Sequence, residues 1–159
     1  MKLRTLSSEH VSTLWRINEE GLPGVGKISE SDLADLLSLT TLPLGAFAGT
    51  ELVGFVLCLL PGTRYGSLNY AWFNQNYEDF LYVDRIAVTP THRDRQVGTL
   101  LYASVIAHAE ERGWPVAAEV SLQPPNPGSM RFHERHGFTE VGTLHHETQS
   151  VAMLLRAPR

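Results

Sequence analysis

What is scarce in this chain narrows it first. Cys58 is the one cysteine in 159 residues, so no internal disulfide can form and nothing calls for an oxidising compartment. It sits in the apolar run LVGFVLCLL and reads as a small buried hydrophobe. Excess positive charge is missing too. Thirteen Lys and Arg against 17 Asp and Glu leave a net charge of −4, the wrong sign for a chain whose main partner is a phosphate backbone. The longest apolar run, Leu52 to Leu60, is far short of a membrane-spanning helix. The opening MKLRTLSSEH carries no apolar core of signal-peptide size. Repeats, low-complexity tracts and interdomain linkers are absent as well. The expectation is one cytoplasmic domain over residues 1–159, with no nucleic acid and no membrane as partner.

What is present alternates between two hydrophobic periods. MKLRTL reads as a short strand, and Val11, Leu14 and Trp15 recur at helical spacing behind a serine-rich start. Leu33, Leu36 and Leu37 mark a second helix capped by Ser29. Gly49-Thr50 joins two apolar runs into a hairpin. Residues 61–79, polar and aromatic, are expected to form a long functional loop. FLYVDRIAVTP is a strand ended by Pro90. A long helix then runs from Asp94 or Arg95 to Gly113, with Val97, Leu100, Leu101, Val105 and His108 at its spacing. PVAAEVSL is a strand, and NPGSMRFHERHG a short helix with Asn126 as cap and Pro127 in its first position. Two strands close the chain. The class is mixed α/β.

Two stretches compete for a phosphate. GLPGVGK, from Gly21 to Lys27, has the letters of a nucleotide-binding loop, which keeps a nucleoside-triphosphate hydrolase in view. That loop needs a Ser or Thr after the lysine to hold magnesium, and Ile28 stands there. Helical spacing precedes it where a strand is required, and Glu30 and Asp32 would repel a phosphate at the next helix start. The stretch THRDRQVG at Thr91 fits better. A strand enters it, a long helix leaves it, and the first N–H groups of that helix lack intrahelical partners. Arg93 and Arg95 add full charge, while Gly98 admits a close ligand.

The stretch VTPTHRDRQVGTLLY resembles the acyl-CoA-binding motif of the GNAT acetyltransferase superfamily, Arg/Gln-x-x-Gly-x-Gly/Ala, entered through Val88-Thr89-Pro90. NPGSMRFHERHGF resembles the second motif of that family through Asn126, Ser129, Phe132, Gly137 and Phe138. The element order matches over the whole chain, and LYVDRIAV and PPNPGS resemble a group of small predicted N-acetyltransferases. The resemblance implies a mostly antiparallel sheet flanked by helices, with two central strands splayed. It also implies acetyl-CoA as co-substrate, with its pantetheine against Ile86, Ala87 and Val88. Arg93, Arg95, Gln96, Val97, Gly98 and Thr99 would surround the pyrophosphate, and Asn126, Ser129 and Phe132 would flank the arm. Asn126 can equally act as a helix cap alone.

The chain departs from that pattern at three positions. Asp94 and Gln96 stand where glycines are usual, and His133 replaces the tyrosine that commonly protonates the departing thiolate. A protonated histidine is the stronger acid near neutral pH; a helix-surface histidine without chemistry is the alternative. For the general base, Asp84 and Glu119 lie on the two strands expected to flank the site, with Glu78 just before the first. Charges on core strands are costly unless paired or used, so surface pairing with arginine competes with catalysis, and a water chain can also carry the proton.

The resemblance also implies that the acceptor enters beside residues 18–27 and the aromatic loop. Asn18 lies on an apolar helical face, an odd place for a polar side chain. Tyr70, Trp72, Phe73 and Tyr77 either line a pocket or cover the sheet. His133, His136, His145 and His146 form no metal-ligand spacing, so no metal is expected. The expected activity is acetyl transfer from acetyl-CoA to a primary amine of a small molecule or peptide. A CoA-binding protein with weak catalysis is the alternative, and a homodimer is allowed.

Overall fold

The computed structural model describes residues 1–159. Seven strands, β1 (Lys2–Thr5), β2 (Leu42–Ala48), β3 (Glu51–Leu59), β4 (Leu81–Val88), β5 (Val116–Gln123), β6 (Thr139–His145) and β7 (Ser150–Arg156), form one sheet in the order β1-β2-β3-β4-β5-β7-β6. Every neighbouring pair is antiparallel except β4 with β5. The helices are α1 (Val11–Glu20), α2 (Glu30–Leu39), α3 (Leu68–Asn76), α4 (Val97–Arg112) and α5 (Pro127–Arg135).

Strand alternation gives the sheet two apolar faces, each covered by helices. Phe55, Leu57 and Leu59 of β3 face Leu14 and Ile17 of α1, Leu33 and Leu36 of α2, and Phe73 of α3. Val53, Val56 and Cys58 face the opposite way, toward Val97, Leu101 and Val105 of α4. Cys58 is fully buried, as its apolar run implied.

Two sequence expectations are corrected. The long loop contains helix α3, whose Ser67 side chain accepts the Tyr70 N–H at 3.2 Å as its cap. Tyr70 and Phe73 go into the core, and Trp72 packs against β6, where a Cβ at Gly142 would come within 2.6 Å of its ring. These aromatics therefore cover the sheet. The long helix starts at Val97, later than expected, because Asp94 and Gln96 adopt φ values of 61° and 60° that no helix interior contains.

Candidate active site

Strands β4 and β5 pair only at Leu81–Val116 and Tyr82–Ala117, and then part. Beyond that point Asp84, Arg85 and Ile86 face Glu119, Val120 and Ser121 across a cavity of about 360 Å³. A bulge in β4 shapes its wall. Val83 pairs with Cys58 and Arg85 with Leu57, leaving Asp84 unmatched on β3. The extra residue turns the Asp84 and Arg85 side chains into the same cavity.

The Asp84–Arg85 pairing expected at the surface is instead sunk in the protein. Arg85 Nε donates to Asp84 Oδ2 at 2.8 Å, with side chains 9% and 5% exposed. Arg85 also donates to Asn18 Oδ1 and to the Gly26 carbonyl, each at 3.1 Å. Asn18 closes the triangle by donating to the same Gly26 oxygen at 3.0 Å. The odd polar residue on α1 is thus a staple holding residues 23–26 as one wall of the cavity. This glycine-rich stretch follows α1, with no strand before it.

Glu119 has no arginine partner. Tyr82 donates its hydroxyl to both Glu119 oxygens at 2.9 Å. Burial pushes the Glu119 carboxyl up to about 8, and the neighbouring Asp84 charge adds to the rise. A carboxyl titrating there is close to the ideal for a base working near neutral pH.

His133 also lines this cavity and is 6% exposed, so it is a buried residue of its helix rather than a surface one. Its Nδ1 lies 2.8 Å from the Ser129 carbonyl and 3.4 Å from Ser129 Oγ, and its Nε2 lies 2.7 Å from the Tyr102 hydroxyl. A carbonyl can only accept, so Nδ1 carries the hydrogen, and Nε2 accepts from Tyr102. Burial holds the His133 pKa below its ordinary value, which favours the neutral ring.

A second cavity of about 780 Å³ opens at the start of α4. Val88, Arg93, Gln96, Val97, Gly98, Thr99 and Phe132 line it, and Asn126 and Ser129 line both cavities. Asn126 caps α5, accepting the Ser129 N–H at 3.3 Å. Ile86 faces the first cavity, and Ile86, Ala87 and Val88 all line a small adjoining pocket with Arg93. Arg95 is exposed and lines neither large cavity. Arg93 donates to the carbonyls of Val88 at 3.1 Å and Glu20 at 3.0 Å, so it also ties β4 to α1.

This donor set fits a pyrophosphate-bearing chain. The first N–H groups of α4 lack intrahelical partners, and a Cβ at Gly98 would meet no protein atom within 4 Å. The parted strands leave backbone amides that a ligand with amides of its own can pair. Sequence reasoning missed Tyr65, Ser67, Asn69 and Tyr102 in the first cavity, Tyr82 against Glu119, and Arg135 in the second cavity. Only Ser67 carried a signal, as the cap of α3. No cluster of metal-ligating side chains is present, and no helix is long and apolar enough to cross a membrane.

Two adjoining cavities, one at a helix N-terminus and one lined by buried titratable side chains, have the make-up of a group-transfer site. The chain matches the acetyltransferase (GNAT) family over residues 13–138 and belongs to that family. Among solved structures it is similar to Ard1 from Thermoplasma volcanium, at 17% identity and a TM-score of 0.79 over 99% of this chain and 97% of that one. It is similar to the ribosomal-protein-alanine N-acetyltransferase of Brucella melitensis, at 17% identity and a TM-score of 0.74 over 99% of each chain. Arabidopsis thaliana NAA60 in complex with a bisubstrate analogue is a third, at 14% identity and a TM-score of 0.76 over 99% and 98%. No curated protein matches the sequence.

Proposed function

We propose that the chain moves the acetyl group of acetyl-CoA to a primary amine, and that Glu119 and His133 are its base and acid. The parting of β4 from β5, with Glu119 at its floor and the α4 N-terminus at its mouth, is the observation that carries this reading. When bound, acetyl-CoA supplies an activated acyl thioester. The α4 amides, with Arg135 nearby, hold the anionic end, while Ile86 and Val88 border the route of the arm. Glu119 takes the proton that the attacking amine must lose, and Tyr82 keeps its carboxylate aimed into the cavity. Asp84 is held by Arg85 and acts by its charge, raising the Glu119 pKa toward the working range. His133, beside Ser129 at the junction of the cavities, protonates the leaving sulfur.

The bisubstrate complex of the similar plant protein supports placing both substrates in one continuous cleft. The reading takes the protein as cytoplasmic, with a small-molecule or peptide amine as acceptor and a homodimer allowed. Calorimetric titration with acetyl-CoA, then thiol release over a panel of small amines and short peptides, tests it. Binding and amine-dependent thiol release are expected. Absence of acetyl-CoA binding overturns the reading.

A further inference from the structure

Tyr82 reaches both oxygens of Glu119 at 2.9 Å, but a phenol has one hydrogen and an ionised carboxylate accepts several. A buried charge held by one donor is costly unless a second is at hand. That second donor comes from α3. Asn69, in its first turn, lines the first cavity with Glu119, and its side chain hydrogen-bonds the carboxyl in the sense that favours the charged form. The other end of the same amide is also engaged, since Asn69 Oδ1 lies 2.9 Å from His146 Nε2. A carboxamide oxygen only accepts, so Nε2 carries a hydrogen and donates it. His146 sits on the connection between β6 and β7. Its backbone N–H donates to the Gln149 carbonyl at 2.6 Å, and Gln149 lines the first cavity too.

We propose that Asn69 is a positioning residue for Glu119, and that His146 sets which end of its amide meets the carboxylate. An amide turned the other way would aim oxygen at oxygen. It would repel the ionised carboxylate and accept from the protonated acid, holding the base in its inactive form. With Oδ1 engaged by His146, Nδ2 is left for Glu119. The cap of α3 belongs to the same arrangement. Ser67 Oγ accepts the Tyr70 N–H at 3.2 Å, and the Ser67 side chain also hydrogen-bonds Tyr82. One helix start therefore steadies both donors of the base. Around Glu119 stand Tyr82, Asp84 and Arg85 from β4, Tyr102 from α4 and His133 from α5, while its β7 partner Met153 does not titrate. Burial and the Asp84 charge push the carboxyl up, and Tyr82, Asn69 and Arg85 pull it down. Removing Asn69 therefore raises the pH at which Glu119 ionises.

This inference rests on the acyl-transfer reading above, in which Glu119 is the base. The test uses the full chain as wild type, Asn69→Ala, His146→Ala and His146→Gln, the last keeping a donor near the place of Nε2. Two quantities are followed against pH. One is kcat/KM for acetyl-CoA, by thiol release. The other is Glu119 ionisation, by carbon-13 NMR of labelled glutamate carboxyls, assigned with Glu119→Gln. In Asn69→Ala both midpoints should move to higher pH. Loss of one hydrogen bond to a charged group should cut the rate at pH 7 about tenfold. The plateau above the midpoint should stay within about threefold of wild type, because the base itself is intact. His146→Ala should move both midpoints the same way by less, and His146→Gln should return them toward wild type.

Unmoved midpoints in Asn69→Ala, or a rate that falls equally at every pH, overturn the inference. If that variant does not fold, His146→Ala decides in its place, and midpoints at the wild-type position overturn the inference. Wild-type protein that does not bind acetyl-CoA overturns the acyl-transfer reading itself. That result is distinct, because the NMR midpoints still test the hold of Asn69 on Glu119.

Discussion

At the mouth of the cleft, one stretch from Val88 to Thr99 supplies most of the lining, and much of it is exposed. At the floor, the lining comes from β4, β5, α4, α5 and the residues preceding α2 and α3, and its charged groups are largely shielded from solvent. The mouth works with backbone amides, a helix terminus and space. The floor works with carboxylates and hydroxyls whose behaviour depends on what the rest of the fold presses against them. On the acyl-transfer reading proposed above, binding is encoded locally and chemistry by tertiary structure. Substitutions at the floor should be costly in rate or stability, and substitutions at the mouth should be felt mainly in affinity.

The largest effect belongs to the floor. Glu119→Gln should lower kcat at neutral pH by about a hundred- to ten-thousand-fold, with acetyl-CoA affinity unchanged, as read by thiol release and calorimetry. The same change should alter stability with a definite sign. The Glu119 carboxyl is raised from 4.5 to about 8, so between those values the folded chain holds more protons than the unfolded one. Stability from this group is therefore lost as pH rises through that window. Thermal melts of Glu119→Gln should lack this loss, and the variant should be relatively more stable at pH 8 than at pH 5.

Arg85→Met comes next. It leaves the Asp84 carboxylate sunk without its partner and cuts the tie to Gly26. Breaking a buried pair from one side costs about 3–5 kcal/mol, which urea unfolding would measure. A loss below about 1 kcal/mol would show that the floor is wetter and more forgiving than the contrast requires.

The mouth should respond differently. Gly98→Leu projects a side chain into space that no protein atom fills. Acetyl-CoA affinity should drop about tenfold or more, roughly 1.4 kcal/mol, while the melting temperature holds. Smallest of all is Gln96→Gly. Gln96 sits at φ 60°, a conformation that costs a residue with a side chain about 1 kcal/mol. Relieving it should raise the melting temperature by roughly 2–4 °C without weakening affinity.

The same contrast explains what was legible in the sequence. The α4 entry could be read because its parts are contiguous: a strand, Pro90, a charged turn, then helical spacing from Val97. Glu119 and Asp84 could be named as charges on apolar strands, but not ranked. The β4 bulge that aims Asp84, and the absence of any arginine at Glu119, come from strand register and distant contacts. Asn18 was conspicuous for its polarity, yet its role depends on Arg85, 67 positions away. Helix α3 escaped because its aromatics lack an apolar stripe at helical period, although Ser67 marked its start. Tyr102 read as one more core residue of a helix, since nothing local distinguishes a phenol that packs from one that also meets His133.

The most direct test of this account is the pH dependence of acetyl-CoA turnover by wild type and Glu119→Gln. Thiol release would be followed at a fixed saturating amine, giving kcat/KM for acetyl-CoA, which reports the essential groups of the enzyme form that meets acetyl-CoA. The wild-type rate should climb with pH around a midpoint near 8, set by the raised Glu119 carboxyl, and Glu119→Gln should give a flat, low profile. The same climb in both proteins, or a wild-type midpoint in the ordinary carboxylate range, would contradict it.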